Sequence, residues 1–226
     1  GILIAYWGIL WIGGGEDPYS LEHNLIRKID IFLLGESHLY GGTGIQFDPE
    51  GLLSTIPSVV TVLIGYLVGS MLHTTKDFLD NVKRMSTFGI SLIIVGIIWG
   101  LLFPINKQLW TSSYVLFTGG IATLILSSLC FMIDIKKWKK PLWVFQIFGT
   151  NSIFLFVLSG LWTKIILRLR FDLEGQSISG YGYLYKTLFV PIGGDMFGSF
   201  LFAFAHLVGF WLILLWLYRK KIFINL

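Results

Sequence analysis

The chain has 226 residues, 54% of them apolar and only 13% charged. A soluble domain carries roughly 25% charged residues, and the apolar residues here run in long unbroken blocks, which excludes a water-solvated globular fold. The net charge of +4 does not point to nucleic acid, because the basic residues collect at the ends of the apolar blocks, as topology signals do. The single cysteine, Cys130, sits inside an apolar block and offers neither an intrachain disulfide nor a metal cluster.

Taken in order, Gly1–Ile12 is apolar and has no capping residue before it. At 1.5 Å per residue it covers about 18 Å, short of a hydrocarbon core of about 30 Å. The segment is expected to be the second half of a spanning helix whose first half precedes this chain. Residues 13–50 form a long connection. Within it Leu21, Leu25, Ile29, Phe32 and Leu33 share one helical face, with Glu22, Arg27 and Asp30 elsewhere. This pattern predicts an amphipathic helix over Ser20–Leu34, lying on the membrane surface, and the glycine-rich stretch Gly35–Gly44 returns the chain to the bilayer. Five apolar blocks of spanning length follow: Gly51–Leu72, Thr87–Pro104, Thr111–Ile133, Leu142–Leu167 and Met196–Tyr218. The expectation is an all-α polytopic transmembrane bundle forming a single domain over 1–226. It has five complete spans within 51–218, one truncated helix over 1–12 and a short tail over 219–226.

The loops alternate in charge. Those holding Lys76, Lys83 and Arg84, then Lys136, Lys137, Lys139 and Lys140, then Arg219, Lys220 and Lys221, carry ten basic residues against three acids. The remaining loops carry seven basic residues and ten acids. The positive-inside rule places the first set and the C-terminus in the cytoplasm, and residues 13–50 and 168–195 on the other side. Trp110, Tyr114, Trp138, Trp143, Trp216 and Tyr218 fall at helix ends, as an aromatic belt requires. Gly65 with Gly69, and Gly96 with Gly100, are candidate close-packing pairs. No internal repeat supports an inverted-repeat transporter.

Three constellations carry candidate chemistry. In Phe47–Ser58, Asp48 followed by Pro49 reads as a helix start, and Glu50 is a second carboxylate at a membrane mouth. Ser54, Ser58 and Thr61 share a face beside Pro57, which is expected to break the helical ladder. The stripe either lines a polar cavity or glues helices together. Gln146, Thr150, Asn151 and Ser152 lie several residues inside an apolar block, where amides mark either a site or helix-to-helix hydrogen bonding. The turn Ile105–Ser113 offers Lys107 and Trp110 as snorkelling and belt residues or as site residues. Of the histidines, His23 and His73 are in polar flanks, His38 is in the glycine-rich loop and His206 is midway along the last block. No metal-ligand spacing or GxSxG nucleophile motif occurs.

The runs IDIFLLGESHLY, FDPEGLLSTIPSVVTVLIGYLVG, NKQLWTSSYVL, GTNSIFLFVLSG and LYRKKIF, in this order and spacing, resemble the membrane acetyltransferases related to heparan-α-glucosaminide N-acetyltransferase. Nearly the whole chain is covered, apart from the spacer between Arg168 and Asp195. The resemblance implies transfer of acetyl from cytoplasmic acetyl-CoA to an amino sugar or glycan across the bilayer, by a multi-pass protein of a bacterial inner membrane. Its expected partners are lipid, both substrates and further copies of itself. The matching positions imply acceptor-binding roles for His38, Asp48, Glu50, Asn106, Lys107 and Trp110, and acetyl-CoA contacts for Asn151 and Ser152. The family's catalytic histidine belongs to a region before Gly1, so this segment alone is expected to be inactive. Competing expectations are a transporter or glycolipid flippase, and a non-catalytic membrane partner of the same fold.

Overall fold

The structure, a computed structural model, describes residues 1–42, 44–138 and 140–224. Thr43 in the glycine-rich stretch, Lys139 among the topology lysines and the end of the 219–226 tail lie outside the described residues. The chain divides into two compact units, Gly1–Trp138 and Lys139–Leu226.

In the first unit, α1 (Ile2–Gly13) is followed by α2 (Leu25–Leu34) and a 3-10 turn over Glu36–His38. Then come α3 (Thr55–Met71), α4 (Phe78–Gly100) and α5 (Ser112–Cys130), the last running on as a π-helical turn over Phe131–Ile135. Helices α4 and α5 form a hairpin whose backbones touch. A Cβ on Gly120 would lie 2.6 Å from the Gly89 carbonyl oxygen, and one on Gly96 would lie 2.7 Å from the Phe117 nitrogen. Only glycine lets two helices approach this closely, and the Ser86 hydroxyl adds a 3.1 Å hydrogen bond to Ser127 across the same contact. Of the expected glycine pairs, Gly96 takes part. Gly65 and Gly69 have nothing within 4 Å of an added Cβ, and Gly100 meets only the Ile105 side chain of its own turn. The partnership that forms, Gly89 with Gly120, has no fixed sequence spacing to announce it.

Helix α1 is tied to the α4–α5 turn by two hydrogen bonds. Tyr6 donates to the Leu109 carbonyl at 2.6 Å, and Ser112 donates to the Leu3 carbonyl at 2.7 Å. Around them Tyr6, Leu10, Ile26, Phe47, Phe103 and Leu109 form a buried core. The start of α4 lies at Phe78 and not at Thr87, because Asp77 caps the Leu79 amide at 2.9 Å and Asp80 pairs with Arg84 at 3.0 Å. Hydropathy marks where charge ends, and capping marks where the helix begins. The α3–α4 connection is latched by buried Asn81. Its amide donates to the Leu72 and Thr75 carbonyls, and its oxygen accepts from the Thr75 amide and hydroxyl, all between 2.8 and 3.0 Å.

In the second unit, a 3-10 turn (Lys140–Leu142) leads into α6 (Trp143–Thr150) and α7 (Ser152–Arg168). The block expected to be one helix is broken at Asn151 and bends by 76°. A two-stranded antiparallel ribbon follows, β1 (Arg170–Leu173) with β2 (Gln176–Ser179). Its two-residue turn uses Glu174 at φ 55° and Gly175 at φ 78°, the positive values that a tight hairpin demands. Helix α8 (Gly180–Leu184), a π-helical turn over Tyr185–Phe189 and α9 (Val190–Arg219) complete the unit. Gly193 and Gly194 kink α9, with Gly194 at φ 69°. Ile147 packs with Leu214, Leu215 and Leu217, and Trp143 meets Trp211 edge-on at 5.7 Å.

Among the described residues, three helical stretches, Phe78–Gly100, Ser112–Ile135 and Gly180–Arg219, are long and apolar enough to cross a membrane, or four if the bent α6–α7 pair counts as one crossing. Helix α1, and α3 with 17 residues, are shorter apolar helices. Large apolar side chains remain exposed along these helices, among them Val62 at 72%, Tyr66 at 73% and Phe156 at 80%, a surface suited to lipid and not to water. The chain has an all-α membrane fold.

The glycine contact sets the first prediction. Gly120→Leu is expected to cost about 3 kcal/mol or more by forcing α4 from α5, whereas Gly65→Ala, in open space, is expected to stay within about 0.5 kcal/mol of the parent. Unfolding midpoints in detergent check both, and equal effects would mean that the α4–α5 contact is not tight.

Candidate functional site

The connection into α3 is built on two aspartates. Asp30, on α2, accepts the Leu52 amide at 3.1 Å, and Asp48 accepts the Glu50 amide at 2.9 Å. Asp48 and Pro49 therefore shape a turn before α3 and do not start the helix, which begins at Thr55. Pro57 falls in the first turn of α3, where an amide would have no helical partner in any case, so the expected break in the ladder does not occur.

These turns leave a pocket of about 190 Å³ lined by Pro49, Glu50, Ser54, Thr55, Ser58 and Trp110. The hydroxyls of Ser54 and Ser58 donate to the Gly51 and Thr55 carbonyls, both at 2.6 Å, so toward the pocket they offer lone pairs. The Glu50 side chain is exposed and makes no ion pair among the described residues. Trp110 stands with φ at 48°, a left-handed conformation that costs a non-glycine residue of order 1–3 kcal/mol. The turn around it holds it there. The Asn106 side chain accepts the Gln108 amide at 2.8 Å, the Asn106 amide donates to the Thr111 hydroxyl at 3.0 Å, and the Lys107 carbonyl accepts the Trp110 amide at 3.1 Å. The indole leans on Tyr114 edge-on at 5.4 Å and reaches the Thr61 hydroxyl at 3.4 Å. A carboxylate, hydroxyl acceptors and an indole together suit a small molecule rich in hydrogen-bond donors, such as an amine or a polyol.

Of the six positions expected around an acceptor, the pocket unites Glu50 and Trp110, joined by Ser54 and Ser58 from the hydroxyl stripe. Asp48 and Asn106 serve the backbone turns behind it. Lys107 is exposed and does not line the pocket. His38 is also exposed, 3.3 Å from the Ser37 hydroxyl in its 3-10 turn, and does not line it either.

In the second unit, Asn151 is fully buried at the break between α6 and α7. Its amide donates to the Ile222 carbonyl at 3.1 Å and its oxygen accepts the Ile224 amide at 2.8 Å, pinning the segment after α9. Ser152 and Gln146 are exposed, and the Thr150 hydroxyl turns back to the Ile147 carbonyl.

Asp30 is the residue that sequence reasoning placed wrongly, on the polar side of α2. It is buried, while Phe32 and Leu33 are exposed at 86% and 59%. One carboxylate oxygen of Asp30 has no hydrogen-bond partner among the described residues. A Cβ on Gly51 would collide with it, and would lie 2.8 Å from Ile26. The one trace in the sequence is Gly51 itself, small because the carboxylate lies against it. Burial pushes the Asp30 carboxyl above its usual 3.8, the Leu52 amide pulls it down and neighbouring Asp48 pushes it further up.

Fold and pocket together define an all-α membrane protein with a small polar pocket at a helix mouth. No family model matches the chain. Among proteins of known function, it is 34% identical over 171 residues to heparan-alpha-glucosaminide N-acetyltransferase of Mus musculus, covering 66% of this chain and 26% of that protein. The Homo sapiens protein of the same name is 34% identical over 146 residues, covering 57% of this chain and 22% of that protein. The chain is thus related to the heparan-alpha-glucosaminide N-acetyltransferases, and it spans about a quarter of the length of these relatives.

Two predictions follow from the buried polar groups. Folded Asp30 holds its proton to higher pH than the unfolded chain does, so its contribution is most favourable in acid and declines as pH rises through the raised value. Relative to Asp30→Asn, the parent is expected to lose thermal stability as pH rises above the ordinary aspartate value of about 4; parallel curves would show that Asp30 does not titrate with a raised value. Asn151→Ala leaves two backbone groups without partners and is expected to cost about 2 kcal/mol and to speed protease clipping after Arg219. An unchanged clipping rate would mean that Asn151 does not hold the tail.

Proposed function

We propose that the chain is part of a membrane acetyltransferase that moves acetyl from acetyl-CoA on the cytoplasmic side to an amino sugar or glycan on the other side. The observation that carries this reading is the pocket of Glu50, Ser54, Ser58 and Trp110, assembled from the same segments that resemble the acetyltransferases. Coenzyme A is too polar to cross a bilayer, so the acetyl group must be handed on within the protein while the acceptor stays outside. In this reading Glu50 takes the amine or a hydroxyl of the sugar, the serine lone pairs receive neighbouring hydroxyls and Trp110 covers the apolar face of the ring. The pocket residues include no histidine. Their part is binding and orientation, and the proton of the attacking amine passes to a base elsewhere.

The same reading places Ser152 and its surroundings at the acetyl-CoA end, with Asn151 acting through the backbone it pins. It also takes the five apolar blocks as five crossings, with α3 crossing together with its flanking turns, and the C-terminus in the cytoplasm of a bacterial inner membrane, as the loop charges suggest.

The test uses the intact protein in lipid nanodiscs, with labelled acetyl-CoA and glucosamine-bearing acceptors. Glu50→Ala and Trp110→Ala are each expected to raise KM for the acceptor about tenfold, equivalent to about 1.4 kcal/mol, with KM for acetyl-CoA unchanged. Folded variants with parental kinetics would remove the pocket from the acceptor site. No acetyl transfer to any amino sugar would remove the activity.

A further inference from the structure

The second unit holds a larger cavity, of about 370 Å³, that shares no residue with the polar pocket. Its volume lies in the range of small-molecule sites, about 300–1,000 Å³. The walls are Leu158 and Trp162 of α7, Leu188 and Phe189 of the π-helical turn, and one face of α9. That face carries Ala205 and Gly209 one helical turn apart, and a Cβ on Gly209 would meet nothing within 4 Å. Two small residues at successive positions leave space that the surrounding large side chains do not fill.

A single lining residue, His206, can form strong hydrogen bonds through its side chain without being an indole. Its ring is caged by Phe202 at 4.4 Å, Tyr181 at 5.9 Å, Trp162 at 6.2 Å and Phe210 at 6.4 Å. Nδ1 lies 2.9 Å from the Phe202 carbonyl oxygen. A carbonyl only accepts, so Nδ1 carries the proton, and in the neutral ring Nε2 is an acceptor. Nε2 has no hydrogen-bond partner among the described residues. An apolar cavity with one acceptor selects a ligand that is hydrocarbon over most of its length and donates one hydrogen bond. Phospholipid acyl chains fit the walls but have no proton to give.

We propose that this cavity is a binding site for a long-chain alcohol of the bilayer, its chain along Leu158, Leu188 and Gly209 and its hydroxyl donating to His206 Nε2. The site stands on the second unit alone and does not depend on the acetyltransferase reading.

The experiment uses the intact protein in nanodiscs of saturated phosphatidylcholine, labelled with a diazirine-bearing hexadecanol and mapped by peptide mass spectrometry. Labelling is expected within residues 158–162 and 202–213. Unlabelled hexadecanol is expected to compete about two- to twelvefold better than hexadecyl methyl ether, which has no proton to donate, the range of one neutral hydrogen bond. His206→Phe is expected to abolish that preference while labelling persists, and Gly209→Leu to abolish labelling by filling the space. Equal competition by alcohol and ether, labelling elsewhere, or no labelling would overturn the proposal, the first outcome meaning that the cavity takes any hydrocarbon chain. The alcohol-to-ether comparison needs only the parent protein, so it decides the matter even where a variant does not fold.

Discussion

A backbone amide or carbonyl freed by a turn finds no water partner inside a hydrocarbon layer, and that constraint organises both units. At several places where a helix begins, ends or breaks, a short polar side chain has turned onto the backbone. Asn24 receives the Arg27 amide and donates to the Ser20 and Leu21 carbonyls. Asp30 receives the Leu52 amide, Asn81 closes the α3–α4 turn, Asn106 closes the α4–α5 turn and Asn151 closes the tail of the second unit. Asparagine suits this task because it donates and accepts from one planar group and carries no charge to desolvate. Asp30 is the exception. Its charge is an advantage only through the one amide it caps, and its second oxygen has no hydrogen-bond partner among the described residues.

With the turns satisfied, the helices are free to pack by shape. In the first unit the fit is close: glycine against glycine between α4 and α5, and Tyr6 and Ser112 fastening α1 to the next turn. In the second unit Gly198 packs closely in the same way, against the Phe189 carbonyl, but Ala205 and Gly209 do the opposite. Ala205 and Gly209 line a cavity shared with Leu188 and Phe189 of the π-helical turn, and a Cβ on Gly209 would meet nothing within 4 Å. A small residue is therefore not a packing signal by itself. Its meaning depends on whether the opposing element comes close, as it does at Gly198 and does not at Gly209.

Much of this was legible in the sequence. All five apolar blocks lie on helices, since long apolar runs need no partner to declare themselves. The amphipathic segment does contain a helix, although it starts at Leu25 and turns Asp30 inward. What escaped the sequence depends on distant partners. The bend at Asn151 is made by a tail some seventy residues further on, and the burial of Asp30 is made by Leu52. The β1–β2 ribbon escaped for a different reason. It is a local feature, with Glu174–Gly175 between two short alternating strands, but it lies in a spacer that the flanking apolar blocks overshadow.

The residues singled out by family resemblance divide, in the structure, into two kinds that a motif alone does not separate. Glu50 and Trp110 present side chains to a pocket. Asp48, Asn106 and Asn151 present theirs to the backbone. The second kind is not dispensable to the first. Trp110 holds a left-handed backbone that its own chemistry disfavours, and the hydrogen bonds of Asn106 and Thr111 and of the Lys107 carbonyl offset that cost. Removing the Asn106 amide would let Trp110 relax toward ordinary φ and swing its indole off the wall it forms. Within NKQLW the first residue thus helps fix the backbone conformation of the last. The same logic relates Asp48, which fixes the turn, to Glu50, which faces the pocket from it.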